Sequence, residues 1–173
     1  MKLTLETERL ILRPFEMNDA EAMFNGWAND PEVTKFLKWN PHENIETTKS
    51  LLDMWIKEYE DPKRLNFAIE LKSNGTLIGG IDIVGYENNI PEIGYNLSRK
   101  YWNNGYMTEA CRRLIDYLFS QGYGEIRIDA AVKNIGSNRV IRKCGGVFVK
   151  TEDIFLPLKN KSLTLNRYII KAK

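Results

Sequence analysis

The stretch from Pro91 to Gln121 constrains the fold most. It opens as a strand over Ile93 to Leu97, passes a short polar turn with one glycine, Gly105, and becomes a helix whose apolar positions, Met107, Ala110, Cys111, Leu114, Ile115 and Leu118, recur at helical spacing. The first turn of a helix leaves backbone N–H groups without partners, and the aligned peptide dipoles add positive charge at the same point. A phosphate is expected to bind there through main-chain donors, with Gly105 letting the backbone come close. The rest of the chain is then expected to position a substrate beside whatever this turn holds.

Upstream, residues 7–15 read as a strand stopped by Pro14, which cannot donate to a ladder. Asn18 or Asp19 then caps a helix with Ala22, Met23 and Trp27 on one side. A short segment follows Asp30-Pro31, and Ile45 to Tyr59 reads as a longer helix with one apolar stripe through Leu52, Trp55 and Tyr59. Strands at 65–71 and 77–84 flank an Asn-Gly loop, a hairpin signal, and residues 85–91 form a second turn into the strand 92–97. Beyond the central helix come a strand at 125–132, a short helix from Ser137 to Cys144 ended by Gly145-Gly146, and strands at 147–155 and 162–170.

This order predicts one α+β domain over 1–173, with a mixed, mostly antiparallel central sheet of about seven strands and flanking helices. A right-handed helical crossover makes the 93–97 and 125–132 strands parallel. If they diverge at their C-terminal ends, they open a cleft at the polar turn.

Composition narrows the function. The 25 basic residues nearly balance the 23 acidic ones, and a net charge of +2 is too mild for a nucleic-acid footprint. No apolar run approaches the length that spans a bilayer and no signal-peptide pattern opens the chain, so a cytoplasmic protein with no membrane partner is expected. The two cysteines, Cys111 and Cys144, read as small core residues rather than a disulfide or metal pair. No nucleoside-triphosphate loop and no G-x-G-x-x-G fingerprint is present.

Residues 92–110, Glu-Ile-Gly-Tyr-Asn-Leu through Trp-Asn-Asn-Gly-Tyr-Met-Thr-Glu-Ala, resemble the acetyl-CoA pyrophosphate motif of the GNAT acetyltransferase superfamily, in the version of its ribosomal-protein N-acetyltransferase branch. Asn134-Ile-Gly-Ser137 with Arg142 to Phe148 resembles the branch's second motif, and Thr7 to Arg13 and Asn29 to Val33 also match. The resemblance implies the acyl-CoA N-acyltransferase fold, acetyl-CoA as co-substrate and no metal. It implies that backbone groups of Asn103, Asn104, Gly105, Tyr106 and Met107, flanked by Trp102 and Thr108, bind the pyrophosphate. By the same resemblance the main chain of Tyr95, Asn96 and Leu97 pairs with the pantetheine arm, which Asn134 also contacts. Trp102 stands where the superfamily usually has Gln or Arg, and Met107 where it has a small residue, so Met107 must point away from the phosphates.

Acetyl transfer to an amine needs a neutral nucleophile, an oxyanion stabiliser and a proton for the leaving thiolate. At pH 7 a lysine amine is neutral about once in 2,500 molecules, and an α-amine about once in ten. Glu92, where the family often carries a base, is the candidate acceptor of the amine's proton; its other reading is a strand-edge Glu paired with a nearby cation. The family's usual acid is a tyrosine seven residues after the Asn, and that position here is Ile141. Ser137, which by resemblance sits near the sulfur, remains as stabiliser or relay, although it could simply cap its helix. His42 and one or two aromatics between Trp27 and Tyr59 could line the acceptor site. The expected activity is direct acetyl transfer to a primary amine, either a peptide N-terminus or a small molecule; a CoA-binding regulatory or scaffold domain and an RNA-associated domain are the alternatives. Self-association through the C-terminal strands, as a homodimer, is compatible with the sequence.

Overall fold

The computed structural model describes residues 3–173. Its strands are β1 (Leu5–Glu6), β2 (Leu10–Arg13), β3 (Asn66–Leu71), β4 (Leu77–Glu87), β5 (Ile90–Leu97), β6 (Glu125–Ala131), β7 (Val147–Leu156) and β8 (Lys161–Lys171), and its helices are α1 (Ala20–Met23), α2 (Pro31–Thr34), α3 (Ile45–Glu58), α4 (Tyr106–Ser120) and α5 (Ile135–Lys143). The strands form one sheet of eight in the order β1-β2-β3-β4-β5-β6-β8-β7. Only β5 and β6 pair in parallel, as the helical crossover through α4 requires. The strand expected over 7–15 is shorter, because the hydroxyl of Thr7 accepts from the Leu10 N–H at 2.9 Å and turns the chain back into β1.

Two apolar layers cover the sheet. On one face α4 buries Ala110, Cys111, Leu114 and Leu118 against Ile81, Ile93 and Ile128. On the other, Phe15, Met23, Trp27 and Leu52 pack over Ala68 and Leu77. The Tyr59 hydroxyl bridges this layer to the sheet, accepting from the Phe15 N–H at 2.9 Å and donating to the Asn66 carbonyl at 2.8 Å.

Three local expectations change. Neither Asn18 nor Asp19 caps α1 through a side-chain bond. A capping box one turn earlier joins Glu16 and Asp19, and Asp19 also pairs with Arg13 at 2.8 Å. The buried stripe is Ala20, Met23 and Trp27, the i, i+3, i+7 spacing of one helical face, which leaves Ala22 exposed; a π-helical turn follows over Phe24–Ala28. The segment 85–91 is not one long turn: β4 and β5 run through most of it and are joined at Asn88 and Asn89, both at positive φ (52° and 64°), a type I′ geometry that asparagine tolerates.

Asn138 ties α5 to the sheet. Its amide nitrogen donates to the carbonyls of Ala131 (2.9 Å) and Asn134 (2.8 Å), and its oxygen accepts from Tyr168 (2.7 Å) and Asn166 (2.9 Å). Asn138→Ala removes these bonds and strands buried partners, so it is expected to cost about 3 kcal/mol. By calorimetry the midpoint of unfolding should fall by about 6–12 °C.

Candidate active site

β5 and β6 pair only at Glu92 opposite Arg127 and then diverge. Ser98 donates to the Ile78 carbonyl at 2.8 Å, so by the two-residue alternation of an antiparallel ladder Asn96 and Gly94 bond to β4. The main-chain groups of Tyr95 and Leu97 therefore face the gap left by β6. The indole N–H of Trp102 already occupies the Leu97 carbonyl at 2.8 Å.

Past β5 the chain turns through Asn103 (φ 62°) and Gly105 (φ 80°) into α4. The N–H groups of Tyr106, Met107 and Thr108 have no partner among the described residues; the first amide to bond back is that of Glu109, to the Gly105 carbonyl at 3.0 Å. Met107 is 6% exposed and lies in the core, so it leaves these amides uncovered. Arg9, which the sequence reading passed over, joins this end of the helix: its guanidinium donates to the Asn104 carbonyl at 3.1 Å, pairs with Glu109 at 2.7 Å and lies over the Tyr106 ring at 4.4 Å. A cation and three unpaired amides at one helix start fit an anionic group such as a pyrophosphate.

Asn134 is the cap of α5, its Oδ1 accepting from the Ser137 N–H at 3.1 Å. Ser137 therefore stands inside the first turn and does not cap. Its hydroxyl lies 2.8 Å from the Tyr95 hydroxyl. Burial pushes the Tyr95 phenol well above its ordinary pKa and keeps it protonated. A tyrosine hydroxyl thus does reach this position, delivered by β5 rather than by α5, where Ile141 is fully buried. Cys111 and Cys144 are both free and lie outside the cavity described next, and the Cys144 thiol donates to the Thr108 carbonyl at 3.7 Å.

A cavity of about 510 Å³ runs from Asn134 and Ser137 past Asn96 and Gly94 to Trp39 and His42. Gly80 and Gly94 leave its floor open; a Cβ at Gly80 would lie 3.1 Å from Phe15 and one at Gly94 only 2.5 Å from Val84. Glu92 lines the cavity and is ion-paired to Arg127, which also holds Glu87 and lies 3.5 Å from Asp129. Asp82, absent from the sequence reading, sits opposite Gly94 on β4, with its carboxyl 3.4 Å from where a Gly94 Cβ would be. No side chain among the described residues forms an ion pair or hydrogen bond with it. Burial pushes its pKa up to about 6; Arg64 opposes this from a distance and the charge of Glu92 adds to it. No sequence signal separates Asp82 from any other strand Asp. His42 faces the same cavity, with Nδ1 2.7 Å from the Thr48 hydroxyl, and burial lowers its pKa.

A sheet splayed beside a helix start with unpaired amides is the arrangement of an acyl-CoA N-acyltransferase. The acetyltransferase (GNAT) domain family matches residues 9–147, and the chain belongs to that family of acetyl-CoA-dependent acetyltransferases. It is 36% identical over 119 residues to the uncharacterized N-acetyltransferase p20 of Bacillus licheniformis, a match spanning 68% of this chain and 66% of p20. It is 35% identical over 145 residues to the uncharacterized N-acetyltransferase YoaA of Bacillus subtilis, covering 82% and 81% of the two chains. Among solved structures, a GNAT-family acetyltransferase from Bacillus anthracis superposes with a TM-score of 0.86 at 26% identity over 98% of each chain. RimL, a ribosomal L7/L12 alpha-N-protein acetyltransferase, superposes with a TM-score of 0.85 over 99% of this chain and 96% of its own, and at 18% identity it shows the fold alone. No helix among the described residues is long and apolar enough to cross a membrane.

Proposed function

We propose that the protein moves an acetyl group from acetyl-CoA directly to the nitrogen of a primary amine within a ternary complex, and that Asp82 receives the proton the amine gives up. The observation that carries this reading is the continuous cavity, which has the Ser137 and Tyr95 hydroxyls near one end and an uncompensated carboxyl, Asp82, toward the other. Acetyl-CoA supplies the acetyl group activated as a thioester.

The amides of Tyr106, Met107 and Thr108 hold the pyrophosphate, with Asn103, Asn104 and Gly105 shaping the turn, Trp102 bracing it against Leu97, and Arg9 adding charge. The main chain of Tyr95 and Leu97 and the side chain of Asn134 hold the pantetheine arm. Asn96, whose backbone bonds to β4, turns its side chain to the acceptor instead. Ser137, backed by the protonated Tyr95, donates to the leaving sulfur. Glu92 is bonded through Oε2 to Arg127, which offsets its charge, so it serves as the group that raises Asp82 rather than as the base itself. With both cysteines away from the cavity, no acyl-enzyme is needed.

Several neighbours support an amine acceptor and this cofactor: RimL is named for a protein α-amine and is known in complex with coenzyme A, and the self-immunity acetyltransferase MccE in complex with acetyl-CoA. The exposed apolar residues of the edge strand β7, Val147, Phe148 and Val149, support self-association there.

Thiol release from acetyl-CoA, followed across a panel of primary amines, is expected to accelerate with at least one of them. Acetyl-CoA binding without amine-dependent thiol release would replace the reading with a CoA-binding regulatory domain.

A further inference from the structure

We infer that the acceptor is a small free amine bearing one positive charge and an apolar or aromatic body, bound whole inside a roofed cavity rather than as the tip of a polypeptide. The inference rests on the acetyltransferase reading above and narrows it.

Charge limits the ligand to one cationic group. Of the three carboxylates at the cavity, Glu92 is held by Arg127, while Asp129 lies 3.5 Å from Arg127 and 3.6 Å from Arg167. Arg64, the nearest cation to Asp82, is itself paired with Glu58 at 2.7 Å. Asp82 is the carboxylate left over, and one ammonium satisfies it. A polyamine would bring further charges to a site where Lys38 already lines the wall.

The walls set the body of the ligand. Phe15, Trp27, Phe36, Trp39 and Trp55 contribute aromatic surface, and Leu163 and Leu165 of β8 close the opposite side.

The roof excludes a chain that must leave again. The Phe36–Trp39 wall and the β7–β8 hairpin approach from opposite sides and are laced together. Asn40 donates to the Leu158 carbonyl at 2.9 Å, Lys159 to the Thr34 carbonyl at 2.5 Å and Lys161 to the Lys35 carbonyl at 3.3 Å. A volume of about 510 Å³ falls in the range of small-molecule sites. In the transfer, Asp82 takes one proton from the ammonium and passes it to solvent, the C–N bond forms as the thioester C–S bond breaks, the nitrogen gives up its second proton, and the thiolate takes one proton through Ser137 to leave as free thiol.

The test compares kcat/KM of the full chain for phenylalaninamide and tyramine, for spermidine, and for decapeptides with free N-termini, with acetyl-CoA affinity measured separately by calorimetry. The small aromatic monoamines are expected to exceed both other classes by at least about tenfold. A preference for peptides or spermidine overturns the inference and leaves the acetyltransferase reading standing, whereas turnover with none of the amines by protein that still binds acetyl-CoA overturns that reading. Loss of acetyl-CoA binding itself would also overturn it.

Discussion

Asp82→Asn is expected to lower kcat/KM at pH 7 by about 10²–10⁴-fold, the usual range for removing a general base, while leaving acetyl-CoA affinity unchanged. The wild-type rate should fall as pH drops through about 6, where Asp82 takes up its proton. The variant should lack this limb. Glu92→Gln separates the two carboxylates. The charge of Glu92 raises the Asp82 pKa, so removing it should move the limb to lower pH and leave it in place. If Glu92 were the base, the limb would disappear in Glu92→Gln and persist in Asp82→Asn.

Stability supplies a readout that a purely structural Asp82 would fail. Because its folded pKa of about 6 lies above the ordinary value of 3.8, the folded state holds the proton more tightly than the unfolded chain. Stability from this group is present at low pH and declines as pH rises from about 4 to about 6. Asparagine needs no ionisation, so Asp82→Asn should melt higher than the wild type at pH 7, with the gain vanishing near pH 4. A variant that is both inactive and more stable is the signature of a residue kept for chemistry.

The anion turn and the parallel pair were legible because they rest on local rules: a glycine before an amphipathic helix, and a crossover with one allowed hand. Met107 could be placed in the core by its helical phase. What escaped the sequence was assembled across strands. Asp82 acquires its meaning from facing Gly94 on a neighbouring strand and from the arginines that neutralise Glu92 and Asp129, none of which spacing along the chain reveals. Arg9 reaches the helix start from the turn between β1 and β2, a hundred residues away from Glu109. Met23 and Trp27 share their face with Ala20, at i, i+3 and i+7, and Ala22 turns outward. The tyrosine sought seven residues after Asn134 arrives instead from Tyr95, by side-chain direction on a strand that sequence numbering cannot register.

Gly105→Val is expected to weaken acetyl-CoA binding by about ten- to a hundredfold. Gly105 holds φ at 80°, a region where a β-branched residue is strained by about 1–3 kcal/mol. Relaxing that strain rotates the peptide planes that begin α4, and the amides of Tyr106 and Met107 then no longer converge on one point. An added Cβ would also lie only 3.5 Å from the Arg9 guanidinium, and the rest of a valine side chain would push against it. At 1.4 kcal/mol per tenfold, the backbone strain alone accounts for the expected loss. Asn103→Gly is the matched control: Asn103 already sits at φ 62°, so glycine keeps the turn and acetyl-CoA affinity should stay within about threefold of wild type. Calorimetric titration with acetyl-CoA decides between these outcomes, with the melting temperature of each variant showing that the fold is intact. Unchanged affinity in a folded Gly105→Val protein would mean that the phosphates bind somewhere other than the start of α4.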